Sequence, residues 1–125
     1  MKAEVAALLD LAEEKLRVAR VLLEADAPGD AASRAYYAAF HAVTGALLSI
    51  EKTYSSHGQV LGAFNRHFVH AGHVPPDFTA VLTRLYEDRQ TGDYDFAASV
   101  GPEDAAQDVA DAERVIVTLR AYLAT

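Results

Sequence analysis

The chain contains no cysteine, so it has neither a disulfide framework nor a thiolate metal site and suits a reducing compartment. No apolar run approaches the roughly 20 residues that a bilayer-spanning helix needs. The opening Met1-Lys2-Ala3-Glu4 passes straight into a pattern carrying Glu13 and Glu14, without the apolar stretch of a signal peptide. A cytoplasmic protein with no membrane association is expected. Strict alternation of apolar and polar residues is also missing, which argues against half-buried strands, and there is no internal repeat or low-complexity tract. Cations are scarce: 11 Lys and Arg stand against 18 Asp and Glu, a net charge of −7. A non-specific nucleic-acid coat needs many cations to neutralise phosphates, so any such contact must be a local pocket of a few Arg and His.

What is present is helical periodicity over 125 residues, a length that suits one compact domain, 1–125. Five helices are predicted. The first runs from about Lys2 to Ala25 on a stripe that includes Val5, Leu9, Leu16 and Leu23, and Pro28-Gly29 is read as its end. Asp30 is the expected cap of a second helix reaching about Ile50. Ser56-x-x-Gln59 fits a capping box for a third, with Val60, Leu61, Phe64 and Phe68 as its stripe and Gly72 to Pro76 as its close. Asp77 is the expected cap of a fourth that fades near Arg89, with Gly92 as terminator, and Thr91 to Val100 reads as a loop. Gly101-Pro102 opens the fifth, which carries Val109, Ala112, Ile116, Leu119 and Leu123. Short connections favour antiparallel neighbours, giving an all-α, up-and-down five-helix bundle.

The second helix is the informative one. With about 100° per residue, Tyr36, Phe40, Val43 and Leu47 form a core stripe, and Arg34 and His41 align on the other side. Around them stand Tyr37, Ala38, Gly45 and Leu48, where a solvated face would carry Lys and Glu. A second dry face predicts a homodimer approached through Ala38 and Gly45, with Arg34 and His41 in a composite cleft.

The run Ala32-Ser33-Arg34-Ala35-Tyr36-Tyr37-Ala38-Ala39-Phe40-His41-Ala42 resembles the signature helix of HEPN domains (higher eukaryotes and prokaryotes nucleotide-binding), in particular their small stand-alone prokaryotic branch. Arg34 and His41, with six residues between them, fit that family's Arg-x4–6-His motif. Ser56-His57 ahead of Phe64, and Arg89 followed by Asp93-Tyr94, are similar to further features of the branch. The resemblance implies a dimerising helical bundle, often encoded beside a minimal nucleotidyltransferase antitoxin, in which the motif Arg and His cleave RNA without metal across the dimer. Some members are silenced by nucleotidylation of a Tyr just after the motif His. Here Ala42 and Val43 occupy those places.

The chemistry suits the residues. His41 is the expected general base or acid and Arg34 the phosphate clamp, because imidazole titrates near neutrality and the guanidinium fork matches phosphate oxygens. Tyr37, between them, is placed to orient His41 or stack on a base. His57 is either a support for the site or a capping neighbour of its helix. Arg89 and Asp93 are spaced to pair with each other, and Arg89 is also a candidate wall of the cleft. His67, His70 and His73 invite a metal reading, but the third lies past Gly72 with no carboxylate completing the set, so neither a native metal nor any other cofactor is expected. A non-catalytic module that binds RNA, a nucleotide or a nucleotidyltransferase partner is the competing reading, and a purely structural dimer is a third.

Overall fold

The computed structural model describes residues 1–95 and 99–125. Among them are five α-helices and no strand: α1 (Ala3–Glu24), α2 (Pro28–Ser49), α3 (His57–Phe64), α4 (Phe78–Tyr94) and α5 (Pro102–Leu123). A single π-helical turn, Asn65–Val69, continues α3. The expected loop over Thr91 to Val100 is helical as far as Tyr94, and part of it, 96–98, lies outside the described residues.

α2 touches each of the other four helices. Pairings such as Gly92 on Gly29, Asp77 with Arg114 and Arg20 with Glu113 fix the directions. α1 and α4 run one way, and α2 and α5 the other. Tyr36, Val43 and Leu47 sit in the core beside Leu9, Phe64, Phe78, Leu85 and Ile116, whereas Phe40 is only partly covered. None of the helices is long and apolar enough to cross a membrane.

Several ends differ from the sequence reading, each for a physical reason. α1 stops before Pro28 because Asp26 adopts a left-handed conformation (φ +61°), letting the Ala27 N–H reach Leu22 O at 2.9 Å and the Asp26 N–H reach Leu23 O at 3.2 Å. Pro28 therefore opens α2, where its fixed φ is favourable and its missing N–H is no loss. Asp30 lies in the first turn and does not cap it by a side-chain bond. Asp77 does not cap α4 either; its carboxylate takes two bonds from Arg114, at 2.7 and 2.8 Å. The Ser56 cap does form, with Oγ accepting from the Gln59 N–H at 3.1 Å, but Gln59 Oε1 reaches back to Ser55 rather than to Ser56.

Gly92 terminates nothing: α4 runs through it for two more residues. A Cβ there would fall 2.7 Å from Gly29 O, so this glycine exists for backbone-on-backbone contact between the end of α4 and the start of α2. Ala38 and Gly45 are likewise covered within the chain. Ala38 is fully buried, and a Cβ on Gly45 would meet Leu8 of α1 at 3.4 Å. The second dry side of α2 is thus filled by α1, and Ala38 and Gly45 are not a docking surface.

One buried acid stands out. Asp108 of α5 is 0% exposed; its Oδ1 accepts from Arg84 Nε at 3.1 Å, while Oδ2 has no hydrogen-bond partner among the described residues. Burial, followed by the neighbouring Asp88, pushes this carboxyl up to about 8 despite Arg84. Loss of hydration in the core, next to a second acid, disfavours the charged form of this carboxyl.

Two predictions follow from the packing. Gly92→Ala should lower stability by about 1–3 kcal/mol in urea melts, because the contact is with backbone that no rotamer change relieves. The folded protein keeps a proton on Asp108 that the unfolded chain loses near pH 4, so stability should fall as pH rises from about 4 to about 8. Asp108→Asn retains an acceptor for Arg84 and a donor for Asp88 without the titration. Thermal melts across that range should show a flatter profile for the variant and a higher melting temperature at its alkaline end.

Candidate functional site

Where α1, α2 and α4 converge, the chain forms a cleft of about 620 Å³. Val18 and Leu22 of α1 supply its apolar wall. From α2 come Asp30, Ser33, Arg34 and Tyr37, and from α4 come Arg89, Asp93 and Tyr94. The α2 residues share one side because helical positions three and four apart are neighbours, as are Arg89 and Asp93 on α4.

Arg89 is the organising cation. Its Nη2 donates to Tyr37 Oη at 2.6 Å, and its guanidinium lies 5.9, 5.2 and 5.5 Å from the ring centres of Tyr36, Tyr37 and Tyr94. Arg89 Nε is 3.2 Å from Asp93 Oδ2, yet it has no hydrogen-bond partner among the described residues, so this pair is held by charge rather than by a directed bond. Ser33 Oγ donates to the same Asp93 oxygen at 3.2 Å. The two sequence readings of Arg89 therefore hold together: it pairs with Asp93 and lines the cleft.

Arg34 is different. It is exposed, lines the same cleft and makes no ion pair among the described residues, although Asp30 is one turn away. It is available to an incoming anion. His41, the other motif residue, is not in the lining. It is half-buried farther along α2, on the side facing α1, where burial first and Lys15 second push its imidazole below the ordinary range. Within one chain the two motif residues stay about 10 Å apart along the helix axis.

His57 follows the Ser56 cap and lies against the aromatic cluster under the cleft. Its ring stacks on Phe40 at 4.3 Å, and its Nδ1 is 2.7 Å from Tyr36 Oη. Burial pushes the Tyr36 phenol far above its usual range, so Tyr36 donates and the His57 Nδ1 accepts. Burial and then Arg89 lower the His57 imidazole, which matches a neutral ring in that role. His57 thus props Tyr36 beneath the cleft and does not line it. His67, His70 and His73 do not line the cleft, and no three His, Asp or Glu among the described residues are placed to hold a metal ion.

Sequence reasoning gave no site role to Ser33, Asp30 or Tyr94, although Tyr94 was named beside Asp93 as a feature shared with the family. The first two were legible, since Asp30, Ser33, Arg34 and Tyr37 share helical spacing, whereas the place of Tyr94 beside Arg89 in the cleft depends on how α4 packs against α2.

An all-helical bundle with an arginine- and tyrosine-lined cleft between its central helix and two neighbours is the class that fold and site define. A model of the HEPN domain matches residues 5–122, and the chain belongs to that family. It is 34% identical over 94 residues to the protein named "Putative toxin MJ0605" of Methanocaldococcus jannaschii, covering 75% of this chain and 70% of the relative. A UPF0332 protein of Thermotoga maritima is 41% identical over 83 residues, 66% of this chain and 63% of the relative. A UPF0332 protein of Gloeobacter violaceus, glr0978, is 30% identical over 118 residues, 94% of each.

The two arginines should separate in a thermal melt. Arg34→Ala removes no partner among the described residues and should leave the melting temperature unchanged. Arg89→Ala leaves the Tyr37 hydroxyl and Asp93 without their cation and should cost about 1–3 kcal/mol. Equal losses for the two would contradict the division between a free and a committed arginine.

Proposed function

We propose that this HEPN protein is a metal-independent endoribonuclease that works as a homodimer, with Arg34 holding the scissile phosphate and His41 acting as general base. The carrying observation is Arg34: an exposed cation, unpaired among the described residues, in an aromatic-lined cleft of a protein with net charge −7. Kinship to proteins named as toxins fits an activity that a cell would keep in check, and a minimal nucleotidyltransferase antitoxin is the proposed genomic partner.

The dimer surface we infer is the edge that α1 and α2 share, not Ala38 and Gly45. Leu8, Leu11, Lys15, Val18 and Leu22 repeat at alternating three- and four-residue steps on α1, and Arg34, Tyr37, His41, Thr44 and Leu48 do the same on α2. All ten are partly or wholly exposed, and this is the spacing with which helices seat against helices. A two-fold axis through that edge would bring His41 of the partner subunit toward the cleft. His41 standing outside the cleft of its own chain is also the observation that favours the rival reading, a binding module for RNA, a nucleotide or the nucleotidyltransferase.

Purified protein should cleave single-stranded RNA to 2′,3′-cyclic phosphate ends without added metal and in the presence of chelator. His41→Ala should slow this by about 10²–10⁴-fold, and Arg34→Lys, which keeps the charge but loses the fork, should also lose activity. Identical background cleavage by wild type and His41→Ala would leave the binding module as the better account. For the dimer, Leu11→Glu should give a folded monomer in sedimentation velocity, and a wild type that is monomeric at about tens of micromolar would overturn the proposed edge.

A further inference from the structure

Tyr37 has an unusual hydrogen-bonding position. Its oxygen accepts from Arg89 Nη2 at 2.6 Å, so the phenol's own proton must point elsewhere, and no acceptor for it exists among the described residues. Tyr37 lines the cleft three residues from Arg34, on the same face of α2. Arg89 is not free to bind an anion directly: its side chain is 14% exposed and already engaged by Asp93 and three tyrosine rings. A committed cation behind a phenol, with the phenolic proton left unclaimed in front, polarises that proton toward whatever occupies the cleft.

We propose that Tyr37 is the general acid of this site, a catalytic residue that delivers its proton to the leaving 5′-oxygen of RNA, with Arg89 as the positioning residue that stabilises the resulting phenolate. The inference rests on the ribonuclease reading above. The step balances without a co-reactant: His41 of the partner subunit, brought to the cleft by the proposed two-fold axis, takes the proton from the 2′-hydroxyl and the 2′-oxygen bonds to phosphorus. The phosphorus–5′-oxygen bond then breaks, and the 5′-oxygen takes the Tyr37 proton. The products are a 2′,3′-cyclic phosphate and a 5′-hydroxyl, and exchange with water returns His41 and Tyr37 to their starting states. A phenol suits this role because it keeps its proton at neutral pH yet gives it readily to an alkoxide. It also divides the labour, since a single His41 cannot be base and acid in the same step.

The test compares two single-stranded oligoribonucleotides that differ at one linkage, where the bridging 5′-oxygen is replaced by sulfur in the second. A thiolate leaves without protonation, so it does not need the acid. Tyr37→Phe should cut the oxygen substrate at least about 100-fold more slowly than wild type, yet cut the sulfur substrate within about threefold of it. Arg34→Ala, which removes the phosphate clamp, should be slow on both. The ratio of the two rates in one sample does not depend on how much of the variant is folded, so a destabilised Tyr37→Phe still gives an answer. An equal loss on both substrates reduces Tyr37 to a structural partner of Arg89 and overturns the proposal, as does an unchanged rate on the oxygen substrate. A wild type that cuts neither substrate overturns the ribonuclease reading itself, a distinguishable outcome in which this inference falls with it.

Discussion

Everything in this molecule is arranged around one helix that is dry on nearly all sides. α2 carries Ala31, Ala32, Ala35, Ala38, Ala39, Ala42 and Ala46 at 0% exposure, together with the buried Gly45. Small side chains let α1, α4 and α5 come close to its axis, and the larger Tyr36, Val43 and Leu47 fill the space between them. A helix so enclosed has only a narrow edge left for polar residues. Arg34, Tyr37 and His41 occupy that edge because the rest of the circumference is taken by packing.

The electrostatics of the cleft follow from the same crowding. Arg89 is held among Tyr36, Tyr37 and Tyr94, with Asp93 as its counter-charge, so it contributes local field without being an open binding group. Arg34 remains solvated and uncommitted. In a chain whose total charge repels polyanions, the split gives one cation for attraction and one for organisation.

Helix number, helix type and the core stripe of α2 were legible because periodicity and apolar spacing are local properties of sequence. So were Arg34, Tyr37, Arg89 and Asp93 as neighbours of a cleft, since each pair shares a helical face. What sequence could not reveal depended on tertiary proximity. Asp30 and Asp77 look like caps, but Pro28 already opens α2, and Asp77 is claimed by Arg114. Gly92 looks like a stop signal and is a contact point instead. Ala38 and Gly45 look like an open docking stripe because nothing in the local pattern says that α1 folds back over them. The expected third helix bends into a π turn at Asn65–Val69, with Gly72 at φ +79° closing the segment, a register change that a 3.6-residue stripe does not register.

The contact between Gly29 and Gly92 bears on how tightly such a site can hold a ligand. Because peptide groups rather than side chains meet there, the gap between the start of α2 and the end of α4 is set by van der Waals contact of backbone atoms and does not depend on which rotamers the side chains adopt. Asp30, Ser33 and Arg34 on one side, and Arg89, Asp93 and Tyr94 on the other, are therefore presented at a fixed spacing before anything binds. A ligand entering this cleft gives up its own freedom but does not have to bring the walls into register, and that saved ordering entropy goes directly into affinity.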